Sequence, residues 1–160
     1  MSRMVLPILL VCALVSTSGA LEKDSHGDQE AREKAFATKL SGSVLAGSFS
    51  TDGKDSAPNK PDRYQIVSAK KLKGDDWVIT SKMKVGEKEV DIPIVLKVYW
   101  ADDTPIMSLT DLTIPGVGTF TARVMFHGDR YAGTWQHGEV GGHMWGKVEN
   151  PAASGKQPAK

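Results

Sequence analysis

The sequence predicts an all-β protein: an antiparallel up-and-down meander of about eight strands that closes into a small barrel, preceded by one short N-terminal helix. Residues 62–100 alternate polar and apolar side chains in strand-length runs, separated by turns at Lys73-Gly74 and Gly86-Glu87. Such turns are typical of tight hairpins, because glycine accepts the positive φ that they require. Similar runs continue to residue 149, and closure into a barrel best removes the exposed edges of such a meander.

Tight closure of the hairpins places the apolar residues of neighbouring strands on one face. The predicted opposite pairs are Ile66 with Ser81, Ser68 with Ile79, Ile79 with Ile94, Trp77 with Leu96 and, across a turn at Gly128-Asp129, Phe126 with Tyr131, Val124 with Gly133, Ala122 with Trp135 and Phe120 with His137. A slip of one residue would move each apolar set to the other face. Agreement between independent hairpins therefore indicates which face is buried.

Pro93 conflicts with an uninterrupted meander. Proline cannot donate a backbone hydrogen bond to a neighbouring strand, so it occupies sheet edges or bulges. Pro93 falls in the middle of its predicted strand and on the outward face. We therefore expect a β-bulge at this position in a closed barrel; a strongly curved open sheet or a sandwich is the alternative.

Residues 1–20 have the pattern of a secretory signal peptide, so we expect a secreted or periplasmic protein. Arg3 precedes an apolar stretch that is too short to span a bilayer, and small residues lead to a cleavage site after Ala20. Residues 21–41 are predicted to form a polar leader and a short helix over 28–40 that lies against the sheet. Residues 42–149 then form the barrel domain, and residues 150–160 have the composition of a disordered tail.

Charge, cysteine content and motifs argue against several classes of protein. The 20 basic residues include Arg3, so the mature chain has 19 basic and 19 acidic side chains, and the only cysteine, Cys12, leaves with the signal peptide. This balance indicates no nucleic-acid surface, and we expect no membrane span. Catalytic signatures are absent from the sequence. We expect no cofactor and no catalysis, although a catalytic pair formed across strands would leave no local motif.

The inward positions mix large aromatic side chains with small or hydroxylated ones. The residues expected to bind a ligand are Tyr64, Trp77, Ser81, Trp100, Tyr131 and Trp135. Buried Trp and Tyr side chains need partners for their polar atoms, which serine or a ligand could supply. A filled small barrel also alternates large and small residues, so a hollow barrel and a filled one remain alternatives.

The facing of Asp111 has two interpretations. Counting from the turn before the fifth strand directs Leu112 inward and Asp111 outward, whereas counting back from a turn at Gly116-Val117 directs Leu109 and Asp111 inward. Both hold only with a bulge between them. A solvated carboxylate is the favoured interpretation, because buried carboxylates are rare.

The histidines offer a candidate zinc site that depends on one turn. A hairpin centred on Val140 sets His137 across from His143, with Glu139 nearby as an oxygen ligand. A turn centred half a residue later pairs His137 with Met144 and removes the site. We expect no metal.

The segment YAGTWQHG contains a Gly-Thr-Trp sequence similar to one that recurs in lipocalin-like and avidin-like barrels. Together with an N-terminal helical turn, a first strand, a long loop and an eight-stranded meander, it makes residues 40–149 resemble this calycin-type architecture. The resemblance implies a cup for a small ligand. Lipocalins carry their Gly-x-Trp near the first strand, whereas Trp135 lies in the penultimate one, so no functional residue is carried over.

The sequence thus predicts a secreted β-barrel protein that binds a small, partly apolar ligand, with the loop 51–62 as a candidate lid. The alternative is a structural or protein-interaction domain with a filled core. Its support is the set of outward apolar residues Val78, Val95 and Tyr99, which would form a patch for self-association into a homo-oligomer.

Overall fold

The computed structural model describes residues 18–54, 57–85 and 87–150, and its eight antiparallel strands close into one barrel in sequence order, with β1 paired to both β2 and β8. The predicted fold class is confirmed. The elements are α1 (Ser18–Leu40), β1 (Val44–Phe49), β2 (Lys60–Lys71), β3 (Asp76–Val85), β4 (Lys88–Ala101), β5 (Thr104–Ile114), β6 (Gly118–His127), β7 (Arg130–His137) and β8 (Val140–Glu149). The helix starts ten residues earlier than predicted, within the last three residues of the predicted signal peptide, whose remainder lies outside the described residues.

Helix α1 plugs one end of the barrel. The ring of Phe36 makes edge-to-face contacts with Trp77, Trp100 and Phe126, which come from three different strands, at centroid distances of 5.6, 5.9 and 5.4 Å. Leu40 is fully buried one turn later. The helix was predicted to lie against the sheet. In the structure it covers the end of the barrel. We call this part of the interior, formed by Phe36, Leu40, Trp77, Trp100 and Phe126, the sealed half.

Polar contacts fix the helix on this end. Lys71 of β2 forms an ion pair with Glu33, a carboxylate that is almost fully buried. Arg32 donates to the carbonyl of Asp102 in the β4–β5 turn, and its guanidinium lies 5.4 Å from the centroid of the Trp100 ring, a cation–π arrangement. Beyond the helix, Gly42 has a φ of 74°, the left-handed conformation in which helices commonly end, and it leads directly into β1.

The predicted register is confirmed in most of the sheet and wrong in one hairpin. Ile66 pairs with Ser81, Ile79 with Ile94, Trp77 with Leu96, and all four pairs predicted across Gly128-Asp129 are present. Ser68 pairs with Thr80 and not with Ile79, because the pair nearest the turn is Lys71 with Trp77, which leaves five residues between the strands where the predicted turn leaves two. A bulge between Ile66 and Ser68 restores the predicted register further along. Gly86, the predicted turn residue, lies outside the described residues.

A bulge in β5 reconciles the two interpretations of Asp111. The register with β6 shifts between Leu109 and Leu112, so both leucines face the interior while Asp111 is exposed on the outside. Asp111 has a φ of 49°, its amide donates to the Thr121 hydroxyl, and that hydroxyl donates back to its carboxylate. These hydrogen bonds stabilise a backbone conformation that is uncommon for residues other than glycine.

Pro93 lies at a local sheet edge. It pairs with Thr80 of β3 without any register shift, so the predicted bulge at Pro93 is wrong. On its other side, β4 pairs with β5 only from the pair of Ala101 with Thr104 to the pair of Lys97 with Ser108, within the described residues. Beyond that point β4 remains paired with β3, and β5 remains paired with β6. An edge position has no ladder partner to receive a donated hydrogen bond, which is where proline is tolerated.

Candidate functional site: the interior cavity

The half of the barrel away from the helix contains a cavity of about 220 Å³. Most of its lining is aliphatic or sulfur-containing, with three aromatic rings, those of Tyr64, Phe120 and Trp135. The apolar lining residues are Leu45, Ile66, Ile79, Met83, Ile94, Leu96, Met107, Leu109, Leu112, Ile114, Phe120, Ala122, Val124, Trp135 and Met144. We call this part of the interior the open half. It offers an apolar surface without a charged side chain among its lining residues.

Four residues bring polar atoms to the cavity wall: Tyr64, Ser81, Thr121 and Gln136. Three of them already have hydrogen-bond partners within the protein. Ser81 donates to the Gln65 carbonyl at 3.2 Å, Thr121 bonds the bulged Asp111, and Gln136 donates to the Gly138 carbonyl at 2.9 Å. Their hydroxyl and amide groups are therefore largely committed to the barrel wall, which leaves the cavity more apolar than its composition suggests.

A polar cluster of Tyr64, Asp62 and Tyr131 lies beside this wall. Burial raises the pKa of the Tyr64 hydroxyl well above its usual range, and the neighbouring Asp62 carboxylate raises it further. Burial, together with the charge of Asp62, raises the pKa of Tyr131 to about 12. Both hydroxyls therefore stay protonated at neutral and mildly alkaline pH, since a phenolate beside a carboxylate in a buried site is unfavourable.

Close backbone approaches make room for these rings. A Cβ atom on Gly47 would lie 2.6 Å from the Tyr131 hydroxyl and 2.0 Å from the Trp145 carbonyl oxygen. A Cβ atom on Gly142 would lie 2.1 Å from the Ser50 carbonyl oxygen. Glycine at these positions lets neighbouring backbone segments approach more closely than a residue with a Cβ atom would allow.

Trp135 connects the cavity to the loop after β1. Its indole Nε1 donates to the Ser50 carbonyl at 3.1 Å, and its ring contacts Phe49 edge-to-face at 5.5 Å. The Ser50 amide also donates to the His143 carbonyl at 2.9 Å, and the Asp52 amide donates to the Gly141 carbonyl at 2.9 Å. The start of the predicted lid is thus tied to β8, and residues 55 and 56 lie outside the described residues.

The six predicted site residues fall into two groups. Tyr64, Ser81 and Trp135 line the cavity. Trp77 and Trp100 belong to the sealed half, where both contact the Phe36 ring, and Tyr131 is buried against Phe126. Trp77 is fully buried, whereas Trp135, which was likewise predicted to face inward, is half-buried.

The indole nitrogens of Trp77 and Trp100 and the hydroxyl of Tyr131 are buried without a hydrogen-bond partner among the described residues. The sequence predicted that serine or a ligand would supply partners for such atoms. In the structure, the indole rings of Trp77 and Trp100 pack against the helix, and this aromatic packing offsets the loss of hydration of their nitrogens. The aliphatic and methionine lining of the cavity was not singled out, although its inward alternation is visible in the sequence.

The histidines do not form the candidate zinc site. The β7–β8 turn is Gly138-Glu139, with Gly138 at a φ of 60°, so His137 pairs with Val140 and His143 pairs with Thr134. His137 instead stacks on Phe120 with ring centroids 4.4 Å apart. Within residues 18–54, 57–85 and 87–150, no group of three histidine, cysteine or acidic residues is placed to hold a metal ion.

The fold and the cavity define a closed, eight-stranded antiparallel β-barrel, plugged by a helix at one end and consistent with a calycin-like architecture. No protein-family model matches the chain, no curated protein is significantly similar to it, and no solved structure matches it. Within the part of the chain that the structure describes, no helix is long and apolar enough to cross a membrane.

Proposed function

We propose that this protein is an exported binding protein that holds a small apolar ligand, or the apolar chain of a larger one, in the open half of the barrel. The observation that carries the proposal is the cavity of about 220 Å³ lined mainly by aliphatic and methionine side chains. Empty apolar space in a protein interior costs stability unless something fills it. A cup of this kind is what the lipocalin-like or avidin-like resemblance implies.

The lining supports an apolar ligand with little polar character. The wall carries no charged side chain, and the polar groups of Ser81, Thr121 and Gln136 are already bonded to the protein. Met83, Met107 and Met144 add flexible, polarisable side chains that adapt to different shapes. Binding would therefore be driven by burial of hydrocarbon, at about 0.8 kcal/mol for each methylene removed from water.

The volume limits the ligand. Pockets for small molecules generally begin at about 300 Å³, and this cavity, at about 220 Å³, is below that size. The small volume therefore also supports the alternative of a filled barrel. A single unbranched alkyl chain fits the available space better than a fused-ring compound, because a narrow chain can follow a small, irregular cavity.

Isothermal titration calorimetry with 1-decanol tests the proposal. We expect one saturable site per chain. The variant Ala122→Leu places three more carbons in the cavity and should weaken binding by about tenfold or more, since it displaces two or more buried methylenes. The matched control is Ala132→Leu on the outer face of β7, where the side chain is exposed and binding should not change. No saturable heat with wild-type protein would contradict the proposal.

The second candidate function is self-association through the outer face of β4. Val95 and Tyr99 are 56% and 47% exposed there, and helix α1 lies at the barrel's end and leaves them uncovered. Light scattering tests this candidate: a dimer that dissociates in Val95→Ser with Tyr99→Ser would support it. A monomer at all concentrations would contradict it.

A further inference from the structure

The barrel wall opens sideways where β4 and β5 separate. Their pairing ends at Lys97 and Ser108, and the bulge at Thr110 and Asp111 turns β5 toward β6. Arg123 of β6 stabilises the bulge: its guanidinium donates to the Leu109 carbonyl at 2.5 Å and to the Thr110 hydroxyl at 2.9 Å. The separation is thus built into the sheet by a specific set of hydrogen bonds, since bulges re-aim a strand and end its pairing.

A groove of about 540 Å³ runs along the outside of this separation. Leu96, Leu109 and Leu112 line both the groove and the interior cavity. One leucine comes from β4 and two come from β5, so the shared residues stand on the two sides of the separation. The groove and the cavity therefore share a wall of leucine side chains at this separation.

The two spaces differ in polarity. The cavity wall has no charged side chain, whereas the groove contains Lys97, Arg123 and Asp76 as well as Ser108 and Thr110. Asp76 is paired with Lys97 at 2.7 Å. Arg123 bonds only carbonyl and hydroxyl oxygens, and no carboxylate pairs with it among the residues that the structure describes. The groove therefore has an excess of positive charge next to an apolar cavity.

We infer that the ligand is an amphiphile with one alkyl chain and an anionic head: the chain enters the open half between β4 and β5, and the head lies in the groove beside Arg123. This inference rests on the proposed function, because it needs the cavity to accept an alkyl chain. It adds the chemical class of the ligand and its route of entry. It also explains how a cavity of about 220 Å³ could serve a larger ligand, since the head stays outside it.

Decanoate and 1-decanol test the head group, because they share a chain and differ in charge at pH 7. Arg123→Gln should weaken decanoate binding about two- to fivefold more than it weakens 1-decanol binding, the usual range for a partly exposed ion pair, because the loss of its hydrogen bonds to the bulge affects both ligands alike. Arg123→Lys should keep most of the decanoate affinity, which separates charge from bulge geometry. Added salt should weaken decanoate binding to wild-type protein and reduce the effect of Arg123→Gln.

Cross-linking tests the route. In a Cys12→Ser background, Val95→Cys with Thr110→Cys places one thiol on each strand beside the separation, and a short bismaleimide should tie the strands together. We expect 1-decanol to associate and dissociate more slowly by on the order of tenfold, with Kd nearly unchanged. The control pair, Met125→Cys with Ala132→Cys, joins two exposed neighbours of β6 and β7 and should leave both rates unchanged.

The outcomes separate this inference from the proposed function. If neither 1-decanol nor decanoate binds the wild-type protein, the proposed function is contradicted and the inference with it. If both bind, but Arg123→Gln affects them equally or not at all, the anionic head is contradicted. If both bind and the 95–110 cross-link leaves the rates unchanged, entry between β4 and β5 is contradicted.

Discussion

The two halves of the barrel interior use the same strands to build different kinds of core. In the sealed half, aromatic rings from β3, β4 and β6 surround Phe36 of the helix at centroid distances of 5.4 to 5.9 Å. In the open half, the same strands present aliphatic and methionine side chains to a cavity of about 220 Å³. The comparison shows that the helix, which supplies the side chains that fill one end, decides where the barrel is packed and where it is empty.

The largest expected effect comes from removing a tryptophan from each half. Trp77→Ala should lower the free energy of unfolding by about 3 to 5 kcal/mol, because it empties a fully enclosed aromatic site. Trp135→Ala should cost less than about 3 kcal/mol, since one side of its ring already faces the cavity. Urea denaturation of both variants checks the difference. Equal losses would show that the two halves are packed alike.

Periodicity and turn chemistry predicted most of the sheet, because each strand's facing is a local property. The one register error arose at Ser68, where five residues between Lys71 and Trp77 replaced a two-residue turn and a bulge corrected the shift. A pair of compensating irregularities leaves no periodic signal. Asp111 illustrates the same limit: the sequence indicated that a bulge was one solution, and the hydrogen bonds with Thr121 give the physical reason for it.

The candidate site was predicted less well, because it depends on where the helix lies. Inward facing alone could not separate Trp77 and Trp100 from Trp135, since all three alternate correctly along their strands. Phe36 makes the distinction by covering the first two. These contacts join Phe36 to residues about 40 and 64 positions away in the chain. The sequence of the helix shows only an apolar stripe, which does not indicate the contacts.

Enlarging an alanine in each half gives a smaller effect that sharpens the comparison. Ala69 is buried in the sealed half, and its amide donates to the Ser41 hydroxyl at the end of the helix. Ala69→Leu should destabilise the protein by about 1 to 3 kcal/mol, the usual cost of overpacking. Ala122→Leu fills empty space and should be neutral or stabilising. Thermal denaturation measures both, and a comparable loss at Ala122 would mean that the cavity has no room for the side chain.

Alkaline pH should act on the polar cluster of Tyr64, Asp62 and Tyr131 beside the cavity wall. The folded pKa of Tyr131, about 12, exceeds its unfolded value of 10.0, so the stability that this group contributes is present below pH 10 and is lost as pH rises toward 12. In that interval the free energy of unfolding should fall by about 1.4 kcal/mol per pH unit for this group. Tyr131→Phe should reduce this slope. The same variant should change the free energy of unfolding little at pH 7, which serves as the control measurement. An unchanged slope would contradict the burial of this hydroxyl.

The methionine methyl groups offer the most direct measurement of where a ligand binds. Met83, Met107 and Met144 line the cavity, Met125 is 46% exposed on the outer face of β6, and Met1 and Met4 belong to the predicted signal peptide. In a protein labelled with methyl-¹³C methionine, titration with 1-decanol should shift the Met83, Met107 and Met144 resonances together with one Kd and leave Met125 unmoved. A shift confined to Met125, or no shift at any methionine up to the solubility limit of the alcohol, would contradict ligand binding in the open half.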